Sequence, residues 1–509
     1  MGLGHSPRIV TDGMVLCLDA ANPRNFNLTA VEVLVVAGGG SGGVDNGGGG
    51  GAGGLIYNSN FAVTPGTQLA ANVGGGGAAR AGGSDDGPGN NGANSVFGSL
   101  TAYGGGGGSG WINATLPPGS SSYTGGNGAG QSASTFSGNS LGAGTGNRIT
   151  GTTTVASGQG NNGGTAVGAF AGGGGGGGGS GGNASNGAAG AGGLGFRSNI
   201  SGSQVIYAAG GAGGWDVISG YTSTLPFTEN GTVKKTTQTS EDACPANTGH
   251  GGNGGNHNNN SSGAGGSGIV IVRYPGPQKA IGGTITSVGG DTIHTFTTSG
   301  NFTPLVATNG SAVLGLSDLS GNRNFGDSGG SGVLYSSANG GSLSFDGSDD
   351  KVVDSSFNSH QINAGTLEWW IKTPASFTDG RYFGGVGGTE TYGATRALRI
   401  SGNMFSFVSY GSGTEDWNSI FAPTINTWYH IAQIWNGTSL TAYFNNISYS
   451  ATRTGLVTPI GTVLSLGANP WSLNENTSGQ ISVVRLYNRA LTAAEVSQNF
   501  NALRGRFGL

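Results

Sequence analysis

Residues 31–40 read VEVLVVAGGG, a strongly β-forming run that passes directly into glycine. Residues 265–276, GGSGIVIVRYPG, leave glycine again through an equally apolar run. A flexible Gly/Ser linker needs no Val/Ile-rich strands at its two ends, whereas a structured module needs apolar strands to nucleate it and to cover it. The two runs therefore predict that the glycine between them is ordered. A set of mobile loops on a small β domain is the alternative.

The glycine content indicates what kind of order to expect. Glycine accounts for 111 of the 509 residues, and residues 171–180 read AGGGGGGGGS. The content lies far below one-third and the spacing is not strictly every third residue, which excludes a collagen triple helix. Without Cβ atoms, extended helices with three residues per turn can pack side by side, each N–H bonded to a neighbour's carbonyl oxygen. We expect polyglycine II-type helices together with short β strands.

Composition excludes several classes of protein. The formal net charge is −4 and no Lys/Arg cluster occurs, so nucleic acid is not an expected partner. Cys17 and Cys244 form neither a disulfide framework nor a metal-binding spacing. The first residues lack a signal-peptide pattern, and no apolar run of about 18 residues occurs. The expectation is a soluble protein, without membrane insertion, that is not exported through a signal peptide.

The last two hundred or so residues have the pattern of a β-sandwich. From Val313 onward, short alternating strands such as GTLEWWIKTP (365–374) are separated by Gly, Asn and Asp at sandwich spacing. Thr492 and Glu495 form a capping box, which predicts a C-terminal helix over residues 492–507. One face of that helix carries Val496, Phe500, Leu503 and Phe507. We therefore expect an all-β sandwich with a helix packed onto it.

This sandwich resembles the laminin-G-like, or concanavalin A-like, jelly roll. The motifs that carry the resemblance are DLSGNRNFG (318–326), GGSLSFDGSDDKV (340–352), TLEWWIK (366–372), WYHIAQIWNG (428–437) and VRLYNRALTAAEV (484–496). In this family the opening IVTDGMVLCLDAANPRNF (9–26) is usually followed closely by the DLSGNRN element, which here comes much later. The resemblance implies that residues 1–27 are the first strands of the jelly roll, 28–310 an inserted glycine-rich module, and 311–509 the remainder. Insertion into a surface loop costs little closure entropy.

The inserted module resembles the glycine-rich modules of tailed-phage virion proteins, above all those of phages that infect marine cyanobacteria. The motifs concerned are VEVLVVAGGGSGG (31–43), GSGIVIVRYPG (266–276) and TIHTFTTSGNFTP (292–304). The resemblance implies a virion tail fibre or adhesin that is assembled in the host cytoplasm and released by lysis. Its expected partners are other virion proteins and a host cell-surface glycan or protein, and a homo-oligomer such as a trimer is the expected assembly.

Three segments with larger side chains interrupt the glycine, at residues 110–126, 194–211 and 214–252. Aromatic residues on loops of a rigid scaffold are a common recognition arrangement. The candidates for ligand contact in these segments are Trp111, Tyr123, Trp215, Tyr221 and Phe227. The alternative is that they cap the ends of the glycine lattice. A β meander is predicted over 282–304, with His294 as a structural residue.

In the jelly roll most aromatic residues are expected to be core, because neighbours in a strand point to opposite faces. This applies to Trp369, Trp370, Trp428, Tyr429 and Trp435. Trp417 in GTEDWNS and Trp471 in ANPWSLNEN are predicted to lie in loops, where an indole can stack on a sugar.

The jelly-roll resemblance also implies a structural Ca²⁺ at one rim. Calcium prefers several oxygen ligands. The residues expected to supply them are Asp318, Asn322, Asp346, Asp349 and Asp350. The alternative is that these are Asx-turn residues between strands.

Catalysis finds little support in the sequence. A glycosidase needs two carboxylates at the scissile bond, and the related glucanases carry theirs as Glu-x-Asp-x-x-Glu, whereas the comparable strand here has only Glu368. No nucleophile elbow, His-Glu-x-x-His or phosphate-binding loop occurs. We expect an adhesin rather than an enzyme. The other candidates are a capsid-decoration or fibre-shaft protein, a bacterial surface adhesin and a polysaccharide-active enzyme.

Overall fold

The computed structural model shows two compact units. It describes residues 8–22, 27–82, 87–110, 126–132, 160–215, 244–257, 261–306, 315–317, 325–329, 332–354, 357, 362–387, 396–410, 414–437, 439–452 and 461–509. The jelly-roll unit is built from Met1–Thr29, Pro275–Lys279 and Pro304–Leu509, and the glycine-rich unit from Ala30–Tyr274 and Ala280–Thr303. The sequence of the glycine-rich unit thus interrupts that of the jelly-roll unit.

Strands dominate both units. The first thirteen are β1 (Met14–Asp19), β2 (Ala30–Val36), β3 (Leu55–Ala62), β4 (Leu69–Asn72), β5 (Ser95–Phe97), β6 (Leu100–Ala102), β7 (Phe196–Ser198), β8 (Val205–Tyr207), β9 (Ile269–Pro275), β10 (Ala280–Ile281), β11 (Thr284–Val288), β12 (Asp291–Phe296) and β13 (Gly300–Pro304). The next eight are β14 (Gly315–Ser317), β15 (Phe325–Gly329), β16 (Leu334–Ser336), β17 (Ser342–Asp346), β18 (Lys351–Asp354), β19 (Gly365–Lys372), β20 (Tyr382–Gly387) and β21 (Arg396–Ser401). The last are β22 (Met404–Tyr410), β23 (Thr414–Phe421), β24 (Trp428–Asn436), β25 (Ser439–Phe444), β26 (Ile447–Thr452), β27 (Val463–Leu466) and β28 (Ser478–Tyr487), followed by helix α1 (Ala493–Phe507).

The jelly-roll unit contains two eight-stranded sheets. Sheet I has the order β16-β17-β28-β19-β24-β25-β26, with β1 also paired to β28, and sheet II has the order β14-β15-β18-β27-β20-β21-β22-β23. Alternate side chains of each strand enter one shared core, as Leu367 and Trp369 of β19 do in sheet I and Leu398 and Ile400 of β21 in sheet II. The predicted all-β class with a concanavalin A-like sandwich is confirmed.

Helix α1 covers the outer face of sheet I. Thr492 accepts a hydrogen bond from the Glu495 backbone and the Glu495 side chain accepts one from Thr492, so the predicted capping box is present. Phe500 and Phe507 stack on Trp370, with ring centroids 5.9 and 4.3 Å apart. Trp370 therefore packs outward under the helix. Among the described residues, no helix is long and apolar enough to cross a lipid bilayer.

Residues 47–54 are the centre of the glycine-rich unit, and six other segments surround them. Their N–H groups donate in turn to three neighbours, with every third residue directed to the same one. Gly48 and Gly51 donate to Ser109 and Gly106 of a first neighbour, and Gly49 and Ala52 donate to Gly172 and Gly175 of a second. Gly47, Gly50 and Gly53 donate to Gly255, Gly252 and Gly249 of a third. The donor–acceptor distances are 2.7 to 3.1 Å. This three-residue repeat is that of an extended polyglycine helix.

The carbonyl oxygens of the same central segment accept from the three remaining neighbours. From the first of these, Gly43, Gly40 and Ala37 donate to the carbonyls of Gly48, Gly51 and Gly54. From the second, Gly130 and Asn127 donate to Gly49 and Ala52, and from the third, Gly214 and Gly211 donate to Gly47 and Gly50. The central segment thus bonds to its six neighbours through backbone groups, which pairs the buried amides without side-chain packing. The predicted packing of polyglycine helices side by side is confirmed.

Histidine and asparagine side chains at a three-residue spacing also join the lattice in residues 250–256. Side-chain atoms of His250, Asn253 and Asn256 accept from the backbone N–H groups of Ala209, Ala212 and Trp215, at 2.9, 3.0 and 3.2 Å. Residues three apart share one side of such a helix, so these side chains replace carbonyl acceptors along one edge.

Two five-stranded sheets adjoin the lattice within the same unit. Their orders are β11-β12-β9-β2-β3 and β10-β13-β4-β5-β6. The two apolar runs that bracket the glycine are direct neighbours, because β2 pairs antiparallel with β9 and Leu34 lies opposite Ile271. His294 is fully buried between the Tyr274 hydroxyl (2.9 Å) and the Gly282 carbonyl oxygen (2.7 Å), which is a structural role.

Replacing Gly50 by alanine is expected to lower the free energy of unfolding by more than about 3 kcal/mol, because the new Cβ would overlap the Gly40 carbonyl oxygen. Gly75→Ala is the matched control, since a Cβ there meets nothing within 4 Å. The control should be neutral or stabilising by up to about 1 kcal/mol. Urea and thermal unfolding measure both, and equal stability of the two variants would contradict a lattice that excludes Cβ atoms.

Candidate functional site

The turn between β17 and β18 holds three aspartates in five residues. The Asp346 side chain accepts from the Ser348 N–H at 2.7 Å, which is the Asx turn anticipated as the alternative. The Asp346 N–H in turn donates to Oδ2 of Asp350 at 2.9 Å. Gly347 occupies the left-handed region with φ of 85°, which lets the chain reverse. The local structure therefore fixes the carboxylates of Asp346 and Asp350.

These three carboxylates converge. One oxygen from each of Asp346, Asp349 and Asp350 lies within 4.8 Å of the others. Asp350 is only 3% exposed, and its Oδ1 is buried without a hydrogen-bond partner. Burial raises the pKa of Asp350, the N–H groups of Asp346 and Gly332 lower it, and the charges of Asp346 and Asp349 raise it further, with a net rise. The turn carries concentrated negative charge with an unsatisfied lone pair.

Oxygen ligands of this kind fit Ca²⁺, which takes several carboxylate and carbonyl oxygens. A cation among the three carboxylates would give Asp350 Oδ1 a partner and offset the like-charge repulsion. Within the described parts of the chain, neither Asp346 nor Asp350 forms an ion pair with a cationic side chain. The other two predicted ligands, Asp318 and Asn322, lie outside the described residues.

Trp471 lies in the loop between β27 and β28, which we call the Trp471 loop (residues 467–477). Its side chain is half-buried and packs against Tyr382 and Ala397 on the outer face of sheet II. Its backbone N–H donates to the Asn469 side chain at 3.1 Å. The loop prediction for Trp471 is confirmed, and whether it contacts a ligand stays a prediction.

The backbone of the Trp471 loop is strained. Leu473 and Glu475 have φ of 56° and 58°, a region that side chains other than glycine and asparagine rarely adopt. The loop compensates with internal hydrogen bonds. They run from the Leu473 N–H to the Asn469 carbonyl, from the Asn469 N–H to the Asn474 carbonyl, and from the Asn469 side chain to Glu475 Oε2, at 2.9, 2.9 and 2.7 Å. The loop is therefore a defined structure.

The aspartate turn and the Trp471 loop touch each other. Asn476 Nδ2 donates to the Asp350 carbonyl oxygen at 3.0 Å, and the Lys351 ammonium donates to the Leu473 carbonyl oxygen at 2.9 Å. The fold thus brings together two elements that the sequence separates widely. Asn476, Lys351 and Tyr382 were not foreseen as site residues, because each acts through a partner far away in the chain.

Two predicted recognition aromatics are placed differently. Trp417 lies in strand β23 opposite Phe407, so its assignment to a loop was wrong, because hairpin pairing continues through the polar stretch around it. Trp215 is only 7% exposed and packs with Phe170, Ala184 and Ala189, so the structure corrects it from ligand contact to the alternative, a cap on the lattice. Its indole belongs to a small core.

The remaining predicted loop residues divide in the same way. Residues 194–211 include the β7–β8 hairpin, whose Phe196 and Tyr207 pack against the sheet core of the glycine-rich unit. Trp111, Tyr123, Tyr221 and Phe227 lie outside the described residues.

Glu368, the single carboxylate on the strand comparable to that of the glucanases, is a packing residue. It is 1% exposed, and its carboxylate contacts His430 Nε2 at 2.7 Å, Asn499 Nδ2 at 2.9 Å and Arg485 Nη1 at 3.4 Å. Burial alone would raise the pKa of Glu368, but Arg485 and His430 outweigh it and hold the pKa below its ordinary value. Tyr487 accepts from the same Asn499 amide at 3.0 Å, so the network fastens α1 to sheet I.

Two family models match separate parts of the chain. Residues 22–275 match the model of a glycine-rich domain. Residues 345–497 match the model of the concanavalin A-like lectin/glucanases superfamily, in agreement with the sandwich. No curated protein matches the sequence.

Solved structures align with the chain over little more than a third of its length. One is domain 4 of a GH43 extracellular arabinanase from Geobacillus stearothermophilus in complex with arabinotriose (20% identity, 36% of this chain and 92% of that chain, TM-score 0.31). Another is the receptor binding domain of botulinum neurotoxin type G (16% identity, 38% of this chain and 51% of that chain, TM-score 0.29). A third is the binding domain of paraclostridial mosquitocidal protein 1 (17% identity, 38% of this chain and 51% of that chain, TM-score 0.31). The chain spans about half the length of the two toxin domains. At TM-scores this low, the likeness carries no information about the function of this chain.

Glu368→Gln is expected to lower the free energy of unfolding by about 3–5 kcal/mol, because it leaves the Arg485 guanidinium buried without a countercharge. Since the native pKa of Glu368 lies below its unfolded value, the wild-type contribution is present above the unfolded pKa and is lost as the pH falls through the native one. The variant should lack that part of the acid sensitivity. Urea unfolding between neutral and acid pH measures both effects.

Glu495→Gln is the matched control for this prediction. Glu495 forms a partly exposed ion pair with Arg489 and belongs to the capping box, in which glutamine also serves. Because solvent screens this pair, its loss should cost only about 1 kcal/mol. Similar losses for the two variants would mean that the buried network has no special weight.

Proposed function

We propose that this chain is an attachment protein that binds a cell-surface glycan where the aspartate turn meets the Trp471 loop. The observation that carries the proposal is the contact of that loop with the turn that bears three convergent carboxylates, made by Asn476 to the Asp350 main-chain carbonyl and by Lys351 to the Leu473 carbonyl. Binding sites for small ligands combine an aromatic surface with a few fixed polar groups. The half-buried indole of Trp471 offers the aromatic surface, and the turn offers the polar groups.

Calcium is part of this proposal. Asp346, Asp349 and Asp350 would hold the ion, which supplies positive charge and open coordination positions for hydroxyl oxygens. The protein's own contribution is to fix the carboxylates through the Asx turn and the Asp346–Asp350 hydrogen bond.

The glycine-rich unit supports the finer proposal of a phage tail fibre or adhesin. Gly110, Ser132 and Trp215 immediately precede the segments 111–125, 133–159 and 216–243. All three lie near the 44–46 turn, since Gly48 bonds to Ser109, Gly130 to Gly49 and Gly214 to Gly47. The last described residues before these segments thus lie at one end of the lattice, whereas Gly126, the first described residue after segment 111–125, lies at the other end, where it donates to Gly104. A rigid lattice of this kind suits a scaffold that carries recognition segments.

Together with the resemblance to tailed-phage modules, this arrangement supports a virion protein made in the host cytoplasm and released by lysis. It would assemble with other virion proteins as a homo-oligomer, and several weak sites on one particle would add their affinities. Because Glu368 is buried and engaged, we propose a binding role rather than an enzymatic one.

A purely structural role, as a fibre shaft or capsid decoration, is the second candidate. It is favoured by Trp215 and the 194–211 hairpin, two predicted recognition elements that pack internally. This candidate predicts tight assembly with another virion protein and no binding to cells.

Trp471→Ala is expected to weaken binding to intact host bacteria and to isolated surface glycan at least tenfold, because it removes the aromatic surface of the proposed site. Trp471→Phe, which keeps an aromatic ring on Tyr382 and Ala397, should lose less. Binding is measured by cell pull-down and on a glycan array, and circular dichroism shows that the variants fold.

Ile447→Ala is the control, because Ile447 is 62% exposed on edge strand β26 of the other sheet. Unchanged binding by Trp471→Ala would refute the proposed rim site. Failure of the wild-type protein to bind any host of the phage would move the function to the structural candidate.

A further inference from the structure

We propose that Asn186 is a site of spontaneous deamidation in this protein, and that the glycine lattice holds the Asn–Gly pairs inside it in the unmodified form. Within the described residues, glycine directly follows asparagine at Asn46, Asn91, Asn127, Asn162, Asn186, Asn253, Asn339 and Asn436. The modification concerns the covalent stability of the scaffold and is independent of the proposed binding function.

An asparagine that precedes glycine can react with the main chain next to it. The main-chain nitrogen of the glycine attacks Cγ of the asparagine, the N–Cγ bond forms, and the Cγ–Nδ2 bond breaks. Ammonia leaves with the proton of the attacking nitrogen, and water then opens the cyclic imide to aspartate or isoaspartate. Glycine favours this reaction because no side chain hinders the approach. The reaction needs a glycine nitrogen and an asparagine side chain that other bonds do not hold.

Three Asn–Gly pairs in the lattice are held at both groups. The side-chain oxygens of Asn91, Asn127 and Asn253 accept from the backbone N–H groups of Gly107, Asn161 and Ala212, at 2.7, 2.8 and 3.0 Å. The glycines that follow, Gly92, Gly128 and Gly254, donate to the carbonyl oxygens of Gly105, Asn161 and Ala212, each at 2.9 Å. An attack would have to break both bonds of a pair, so the lattice opposes the reaction.

Asn186 lies in a tight turn between two lattice segments. Ser185 and Ala188 exchange backbone hydrogen bonds across this turn, at 3.0 and 3.1 Å. Asn186 is exposed, and Gly187 has φ of 101°. Among the described residues, neither the Asn186 side chain nor the Gly187 N–H has a hydrogen-bond partner. The two reacting groups are therefore restrained only by the turn itself.

Asn339 shows the same dipeptide in an exposed but bonded form. Its Nδ2 donates to the Arg506 carbonyl oxygen and its Oδ1 accepts from Trp428 Nε1, both at 3.2 Å. Asn436 is exposed as well, but it ends strand β24, and its backbone pairs with Ser439 of β25. Asn339 thus separates the effect of hydrogen bonding from the effect of exposure.

The turn at Asn186 borders a small core that contains Trp215. Ala184 and Ala189, on the two sides of the turn, are buried in one cluster with Phe170 and Trp215. Isoaspartate adds an atom to the main chain and a negative charge to the turn, so the two hydrogen bonds across it can no longer both keep their geometry. Modification of Asn186 therefore loosens the packing of this cluster.

The test uses the full chain, incubated in the folded state at mildly alkaline pH, where the glycine nitrogen loses its proton more readily. The same chain in urea at a concentration that unfolds it gives the rate of each pair without structure. Peptides are analysed by mass spectrometry with fragmentation that distinguishes isoaspartate from aspartate. We expect Asn186 to react within a few-fold of its unfolded rate, and Asn91, Asn127, Asn253 and Asn339 to react at least tenfold more slowly than theirs.

Variants separate the modification from its consequence. Asn186→Gln removes the reactive site, because the longer side chain would have to close a larger ring. After incubation, hydrogen exchange in peptides covering 180–193 should be faster than in fresh protein for the wild type and unchanged for Asn186→Gln. Freshly prepared Asn186→Asp carries the charge without the extra main-chain atom and should exchange like fresh wild-type protein.

Each contrary result has a definite meaning. If Asn186 in the folded chain reacts no faster than Asn91, Asn127 and Asn253, the proposed site is wrong. If the lattice pairs react at their unfolded rates, the lattice does not protect them, and that half of the proposal fails. If Asn339 reacts as fast as Asn186, exposure decides the rate and hydrogen bonding does not. Unchanged exchange in the incubated wild type would overturn the effect on the Trp215 cluster alone.

Discussion

Backbone hydrogen bonds between parallel rows of extended segments are the interaction on which the glycine-rich unit depends. Each typically contributes only about 1 kcal/mol net, while ordering glycine costs more backbone entropy than ordering any other residue. A single glycine helix would therefore not be stable. Residues 47–54 are stable because six neighbouring segments pair their N–H and carbonyl groups together, so we expect the lattice to form cooperatively. The pairing of β2 with β9 brings its entry and exit together under an apolar core.

The jelly-roll unit is stabilised in the ordinary way, by apolar side chains between two sheets. Its less usual feature is the charged group buried outside that core, where Glu368 meets Arg485, His430 and Asn499 beneath α1. Replacing such a network by apolar residues often leaves the free energy of unfolding unchanged, whereas removing one member leaves the opposite charge buried without a partner. The network therefore specifies where α1 docks more than it adds stability.

Local patterns in the sequence were sufficient where the structure follows local rules. Alternation predicted that Trp369 and Trp370 point to opposite faces, the capping box marked the start of α1, and apolar strands around glycine predicted order. The failures have physical reasons as well. The polar stretch around Trp417 shows no apolar alternation although it pairs as a strand, and glycine beside Trp215 gives no periodicity from which burial could be read.

The aspartate turn was predictable as a cluster, but its relation to Trp471 was not. The Asp350–Asn476 bond joins residues far apart in the chain, and no local signal marks it. Energies indicate why this relation matters. Two non-glycine residues with left-handed φ cost about 1–3 kcal/mol each, and hydrogen bonds such as those from Asn476 and Lys351 return about 0.5–3 kcal/mol each. These terms are comparable in size, and hydrogen bonds within the loop and from the Tyr382 N–H to the Glu475 carbonyl add to the anchors from the turn. The rim is therefore held by a few specific bonds, whereas almost any movement in the glycine lattice breaks several backbone bonds together. The proposed binding function combines this rigid scaffold with a rim whose geometry depends on contacts between residues far apart in the chain.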